Sequence, residues 1–184
     1  LYHLKGFDIL NALKPAELEE LNSLVKDEFY RKGEKIYLPG ESSNTVYFLK
    51  KGKVKLISSS KEGKQLTLSI LGKGEIFGEK SLLGEENRKL IASAMGQVTL
   101  CWIHKDHMLD FVRRHPYLTL SVAKLIGDRS EEIESKLEDL LFKDVPARLA
   151  LTLLKLAKEY GKKVEKGILI EPKITHSDIA DLIG

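Results

Sequence analysis

The chain is 184 residues long, with 42% hydrophobic and 31% charged residues, the composition of a folded protein of one large or two small domains and not of a disordered one. Its formal net charge of +3 permits contact with nucleic acid without specifying it. No apolar run approaches the ~20 residues of a membrane span, nothing at the start reads as a signal peptide, and the single cysteine, Cys101, excludes disulfide frameworks and a four-thiolate iron–sulfur cluster within one chain.

A cytoplasmic protein with no membrane partner is therefore expected. The chain begins at Leu1, not at a methionine, and stops at Gly184, so both ends read as cut. Residues 2–26 read as short helices that cap a core. Phe7, Ile9, Leu10 and Leu13 lie at helical spacing, and Pro15 opens a second segment with Leu18, Leu21, Leu24 and Val25 on one face. From residue 29 to residue 103 the period changes to two. Ile36-Tyr37-Leu38 is a short strand, and Val46, Phe48 and Leu49 lie in the next. After a turn at Gly52, Val54, Leu56 and Ser58 alternate with Lys55 and Ile57; after Gly63, Leu66, Leu68 and Ile70 alternate with Thr67 and Ser69. A last strand, residues 97–103, carries Val98, Leu100 and Trp102 on one face. Short strands separated by glycine turns predict an antiparallel barrel or jelly roll.

Residues 74–94 break this pattern. Gly74 and Gly78 mark sharp turns, a short apolar turn Lys80-Ser81-Leu82-Leu83 ends at Gly84, and a polar run through Arg88 and Lys89 leads into Leu90-Ile91-Ala92. One helical turn with free N–H groups at its start attracts an anion. Arg88 adds a two-pronged grip on the same anion, and Glu79 accepts hydrogen bonds from hydroxyls.

Residues 104–114 read as a short helix around Met108, Phe111 and Val112, broken at His115-Pro116. A long helix follows over residues 116–141, with Pro116 in its first turn. Val122, Ile126, Ile133, Leu137 and Leu140 form an approximate coiled-coil stripe, interrupted at Arg129 and Ser130. So narrow a seam on so long a helix predicts a second copy of the chain as its partner, dimerising through Val122, Ile126, Ile133 and Leu137. Phe142-Lys143-Asp144 ends that helix, and Asp144 caps the next one, with Pro146 in its first turn. Leu149, Leu153, Leu154, Leu156 and Ala157 give its buried face, and Gly161 stops it. Ile168-Leu169-Ile170 is a short strand closed by Pro172. Residues 174–184 read as the first helix of a helix-turn-helix, capped by Thr175 or Ser177, with Gly184 at the turn.

Phe77-Gly78-Glu79, with Arg88 nine residues after the glutamate, resembles the phosphate-binding cassette of the cyclic-nucleotide-binding domain, and more narrowly that of the CRP/FNR transcription regulators of bacteria. The stretch from Asp144 to Gly161 resembles the hinge and first DNA-domain helix of that family, and residues 174–184 resemble its helix-turn-helix. The likeness covers nearly the whole chain. It implies an α+β fold in three parts: a cyclic-nucleotide-binding-like antiparallel jelly-roll sensor over 1–115, a long dimerisation helix over 116–142, and a winged helix-turn-helix over 143–184 that stops before its recognition helix. It further implies a homodimeric transcription regulator, not an enzyme, whose partners are DNA bearing an inverted repeat and RNA polymerase. Thr175, His176 and Ser177 would then face a DNA phosphate. The effector-binding set would be Gly78, Glu79, Ser81, Arg88, Lys89, Ile133 and Glu134. The alternative is a cyclic-nucleotide-binding regulatory module without DNA binding, against which the hinge and tail argue.

Two departures bear on the effector. Lys89 and Leu90 stand where the family carries a hydroxyl residue and then alanine, and Ile133 and Glu134 fall where cyclic-AMP-binding members carry hydroxyls. A base edge left unpaired costs ~1–3 kcal/mol. Cyclic AMP is therefore expected to bind weakly or not at all, and not to be needed for DNA binding, so the effector stays unknown. In the competing reading, Glu79 and Arg88 pair with each other or with nearby backbone and fix the cassette with no ligand. A metal or catalytic centre is not expected. His3, His104, His107, His115 and His176 have no partners at metal-ligand spacing, the strands of residues 36–71 carry no histidine for a cupin-like site, and none lies in the cassette to hold haem. Cys101, beside Trp102 on an apolar strand, reads as core.

Overall fold

The computed structural model describes residue 4 and residues 6–170 and 174–184. Tyr2, His3 and the expected end of the last strand at Glu171 and Pro172 lie outside them. A 3-10 turn at Asp8–Leu10 and helix α1 (Pro15–Leu24) precede the strands. These are β1 (Lys26–Tyr30), β2 (Lys35–Tyr37), β3 (Thr45–Lys51), β4 (Val54–Ser59), β5 (Gln65–Leu71), β6 (Ile76–Phe77), β7 (Ile91–Ala94) and β8 (Val98–His104), with a 3-10 turn at Glu79–Leu83 between β6 and β7. Then come α2 (Lys105–Arg114), α3 (Leu118–Phe142), α4 (Val145–Tyr160), the hairpin β9 (Gly161–Val164) and β10 (Gly167–Ile170), and α5 (His176–Ile183).

The first eight strands form two four-stranded sheets, in the orders β1-β8-β3-β6 and β2-β7-β4-β5, and every pairing is antiparallel. This is the expected jelly roll. Period-two geometry decides how it packs. On β3, Tyr47 and Leu49 face the second sheet with Val54, Leu71 and Phe77. Val46 and Phe48 face the other way, into a second core with Phe7, Leu21, Met108, Phe111 and Leu118 from the helices. The first sheet is thus buried on both faces, which is why β3 reads as a continuous apolar run. Phe48 is fully buried, the setting in which truncating a phenylalanine costs ~3–5 kcal/mol.

The second sheet is different. Leu66, Leu68 and Ile70 do alternate with Thr67 and Ser69, but Thr67 and Leu71 are the buried residues of β5. The leucine face points away from the barrel, toward α3, α4 and α5. The register between β4 and β5 slips by one residue, Leu56 pairing with Ser69 and Ile57 with Thr67, so Leu68 is the extra residue of a bulge. On β4 both Leu56 and Ile57 are buried, against the simple alternation expected there. β5 is the edge of its sheet, and an edge leaves carbonyls without ladder partners. Lys136 of α3 donates to the Thr67 carbonyl, and the Tyr160 hydroxyl of α4 donates to that of Ile70 at 2.9 Å.

The last elements lie against this edge. Lys55 of β4 reaches Asp178 of α5 at 2.7 Å, and the Lys53 ammonium sits over the Tyr160 ring, 3.3 Å from its centroid. Asp144 caps α4 by accepting from the Ala147 N–H at 3.0 Å. Of the expected buried face of α4, Leu156 is buried, whereas Leu153 and Leu154 are exposed; only one side of α4 meets the barrel strands and α5. Pro116 precedes α3 instead of entering its first turn, with Tyr117 at the cap.

The Thr67 hydroxyl is buried and has no hydrogen-bond partner among the described residues. An unpaired buried hydroxyl costs ~1–3 kcal/mol, and valine has nearly the same shape without it. Thr67→Val is expected to raise unfolding stability by about 1 kcal/mol, read from the denaturant midpoint at constant slope; a lower midpoint would show that the hydroxyl is satisfied.

Candidate functional site

Gly78 shapes the cassette. Its φ is 76°, a left-handed conformation that glycine alone adopts without cost. A Cβ at this position would lie 2.7 Å from the Thr45 carbonyl oxygen. The chain therefore turns sharply out of β6 into the 3-10 turn Glu79–Leu83, where the Ser81 hydroxyl donates to the Gly78 carbonyl at 2.8 Å. Arg88 returns beneath this turn. It is 4% exposed, donating one nitrogen to the Gly78 carbonyl at 3.2 Å and another to the Thr45 carbonyl. Glu85 stands 3.9 Å away, and the guanidinium lies over the Tyr37 ring, 4.6 Å from its centroid. Burial pushes the Tyr37 phenol above its ordinary range, so that ring stays neutral. Arg88 thus ties β3, the turn and Tyr37 together.

Glu79 is also buried, and it does not pair with Arg88. Its partner is Arg129 on α3, at 2.6 Å, and a second Arg129 nitrogen donates to the Ile76 carbonyl. A buried carboxylate is tolerated only with a cation and hydrogen bonds beside it. The long helix supplies both. Sequence reasoning noted Arg129 merely as an interruption of the apolar seam. That charge within an apolar stripe was the available signal: a long cation facing inward needs an anion to meet.

The space left in the cassette is about 30 Å³, between Tyr37, Gly78, Glu79, Arg88, Lys89 and Arg129. That is about a tenth of the ~300 Å³ at which small-molecule sites begin. Of the expected effector residues, Gly78, Glu79, Arg88 and Lys89 meet there. Ser81 is buried under the turn and lines no part of this space. Ile133 and Glu134 stand outside it: Ile133 is 46% exposed, and Glu134 accepts from Ser130 of its own helix at 3.1 Å.

Along α3, Val122 and Ile126 are half-buried, whereas Ile133, Leu137, Leu141 and Phe142 are exposed. At the start of α5, the Thr175 hydroxyl accepts from the Asp178 N–H at 3.1 Å, and the Asp178 carboxylate accepts from the Thr175 N–H at 3.1 Å, a reciprocal cap. Thr175, His176 and Ser177 are exposed. Burial raises the Asp178 pKa, but hydrogen bonds from Lys55 and Thr175 outweigh it and hold the group at about 2. The stability this pair contributes is full above the ordinary aspartate value near 3.8 and is lost as pH falls through about 2. The rings of His104 and His107 lie 6.1 Å apart, and among the described residues no cluster of three or more His, Cys, Asp or Glu is placed to hold a metal ion. Cys101 is fully buried, and burial pushes its thiol up to about 12, which makes it core.

Removing one member of a buried ion pair strands the other at ~3–5 kcal/mol. Arg129→Met is expected to destabilise the protein by about that amount, and adding Glu79→Gln is expected to recover most of the loss. Denaturant titration of the four proteins gives the coupling. Strictly additive effects would contradict the pairing.

Comparison with known proteins agrees with this geometry. The family model described as Cyclic nucleotide-binding domain matches residues 27–115. The chain is 31% identical over 181 residues to the cyclic AMP receptor protein of Thermus thermophilus, a match that covers 98% of this chain and 81% of that one. It is 30% identical over 159 residues to the global nitrogen regulator of a Nostoc species, covering 85% and 71%. Its fold matches that of the c-di-GMP-responsive global regulator CLP of Xanthomonas campestris with a TM-score of 0.82 over 92% of this chain and 84% of that one, at 22% identity. These matches run past the barrel strands into the long helix and the tail, so a nucleotide-binding module without the tail is not favoured. The chain belongs to the CRP/FNR family of DNA-binding transcription regulators.

Proposed function

We propose that this regulator works as a homodimer in which residues 1–115 sense, residues 143–184 bind DNA, and the long helix over 116–142 carries the setting of one to the other without cyclic AMP. The observation that carries this reading is the Glu79–Arg129 pair. It ties the cassette directly to α3, so the position of the helix follows that of the turn. The chain's own guanidinium stands against Glu79, where the family resemblance puts a ribose hydroxyl. The 30 Å³ left beside it holds no nucleotide unless Arg129 or Lys89 moves. The relatives' names differ (a cyclic AMP receptor protein, a global nitrogen regulator and a c-di-GMP-responsive regulator), so family membership does not name an effector here.

The seam of Val122, Ile126, Ile133 and Leu137 joins the two copies, its exposed half giving them apolar area to bury. Thr175, His176 and Ser177 seat a DNA phosphate, a positioning contact and not a base-reading one. The protein is cytoplasmic, has no catalytic activity and acts on RNA polymerase at promoters. No helix among the described residues is long and apolar enough to cross a membrane.

Two measurements test this. Selection from random DNA by the full-length gene product, with no cyclic nucleotide present, is expected to enrich an inverted repeat whose half-sites lie ~34 Å apart. Enrichment of single, unrepeated sites, or enrichment only after cyclic AMP is added, would contradict it. Calorimetry with cyclic AMP is expected to show no saturable binding in the micromolar range. A dissociation constant near a micromolar, worth about −8 kcal/mol, that Arg88→Ala abolishes would overturn the cyclic-AMP-independent reading.

A further inference from the structure

A second cavity, of about 320 Å³, lies where the outer face of β5 meets α3, α4 and α5, and it shares no lining residue with the cassette. Its volume is at the low end of the about 300–1,000 Å³ typical of small-molecule sites. Leu68 and Ile70 of β5, Leu140 of α3, Leu151 and Leu156 of α4, and Ile183 of α5 give it apolar walls. Four cations and three carboxylates also line it, and they are unevenly matched. Lys143 pairs with Asp139 at 2.5 Å. Lys155 takes Glu132 at 3.1 Å and Glu159 at 3.9 Å. Arg148 gives its donors to the carbonyls of Lys143, Ile183 and Gly184. Lys136, half-buried, donates to the Thr67 carbonyl and makes no close ion pair among the described residues; Asp139 and Glu132, paired with Lys143 and Lys155, act on it only from farther off.

An ammonium withdrawn from water without a counter-charge is costly. Burial and the nearby Lys155 push the Lys136 pKa down to about 8, against the weaker opposing pull of Asp139 and Glu132. Leu68 and Ile70 of β5, which the barrel does not use, supply the other half of an amphipathic site.

We propose that this cavity binds a small organic carboxylate with an apolar chain, its carboxylate on Lys136 and its chain against the leucine and isoleucine walls. One lysine without a close ion-pair partner suits a monoanion better than a phosphate dianion. Because the walls come from β5 on one side and from α4 and α5 on the other, the occupant holds the tail against the sensor strands, favouring that arrangement by its higher affinity for it. This goes beyond the regulator reading, and its test involves no DNA, so either can fail without the other.

Octanoate is the probe. Calorimetry is expected to show one saturable site per chain. Octanamide in place of octanoate, or Lys136→Met in place of the natural chain, is expected to bind roughly tenfold more weakly, the size of one charge-assisted hydrogen bond. Thr152→Trp, which fills the cavity from α4, is expected to abolish binding, and circular dichroism checks that both variants fold. Bound octanoate is expected to slow trypsin cleavage after Lys143 in the natural chain. Absence of saturable binding would overturn the proposal. So would octanoate binding that octanamide matches or that neither variant changes, since it would mark a greasy surface only. Unchanged cleavage at full occupancy would overturn the claim that the occupant holds the tail.

Discussion

A carboxylate buried beside a glycine turn has to find a cation, and the one Glu79 finds belongs to another element, Arg129 of α3. Much of the molecule's arrangement follows from that pair. In a low-dielectric setting it is strong when complete and costly when broken. Arg129 is also bonded to the Ile76 carbonyl, so α3 is held to the strand that leads into the turn as well as to the turn itself. Arg88 does the corresponding work on the other side, holding Gly78 to Thr45 and β3. Two arginines, each bound to backbone carbonyls, leave a cassette that is filled by its own side chains.

The barrel places that cassette by dividing its apolar residues between two cores. The sheet β1-β8-β3-β6 is sandwiched between the second sheet and the helices, which makes it the rigid centre. The sheet β2-β7-β4-β5 keeps one face for the barrel and turns Leu66, Leu68 and Ile70 of β5 outward. There the edge carbonyls of β5 receive Lys136 and Tyr160, and Lys55 receives Asp178. The tail is thus docked by polar contacts around an incompletely filled apolar centre. Such an interface is easier to reorganise than a packed core, because its partners find other acceptors in water.

Much of this was legible in the sequence. Period-two runs found the long strands, Asp144 and Thr175 announced their helices, and Phe77-Gly78-Glu79 with Arg88 located the cassette. What was missed has physical reasons. β1 and β9, Lys26–Tyr30 and Gly161–Val164, are half or more polar and earn their place by pairing with β8 and β10. β6 has two residues, too few to show a period. The bulge at Leu68 leaves no mark in an alternation that is unbroken along β5 itself. The direction of the β5 leucines, outward and not inward, depends on what covers them. The Glu79–Arg129 pair spans fifty positions of sequence, so the charge in the apolar stripe marks Arg129 without naming its partner.

The central claim is that the cassette and the long helix behave as one mechanical unit through Glu79 and Arg129. Hydrogen exchange of the α3 backbone, compared between the natural protein and Glu79→Gln, tests this most directly. Faster exchange is expected in both the Glu79–Leu83 turn and the α3 residues around Arg129, with the barrel strands unchanged. Faster exchange confined to the turn, with α3 unaffected, would contradict it.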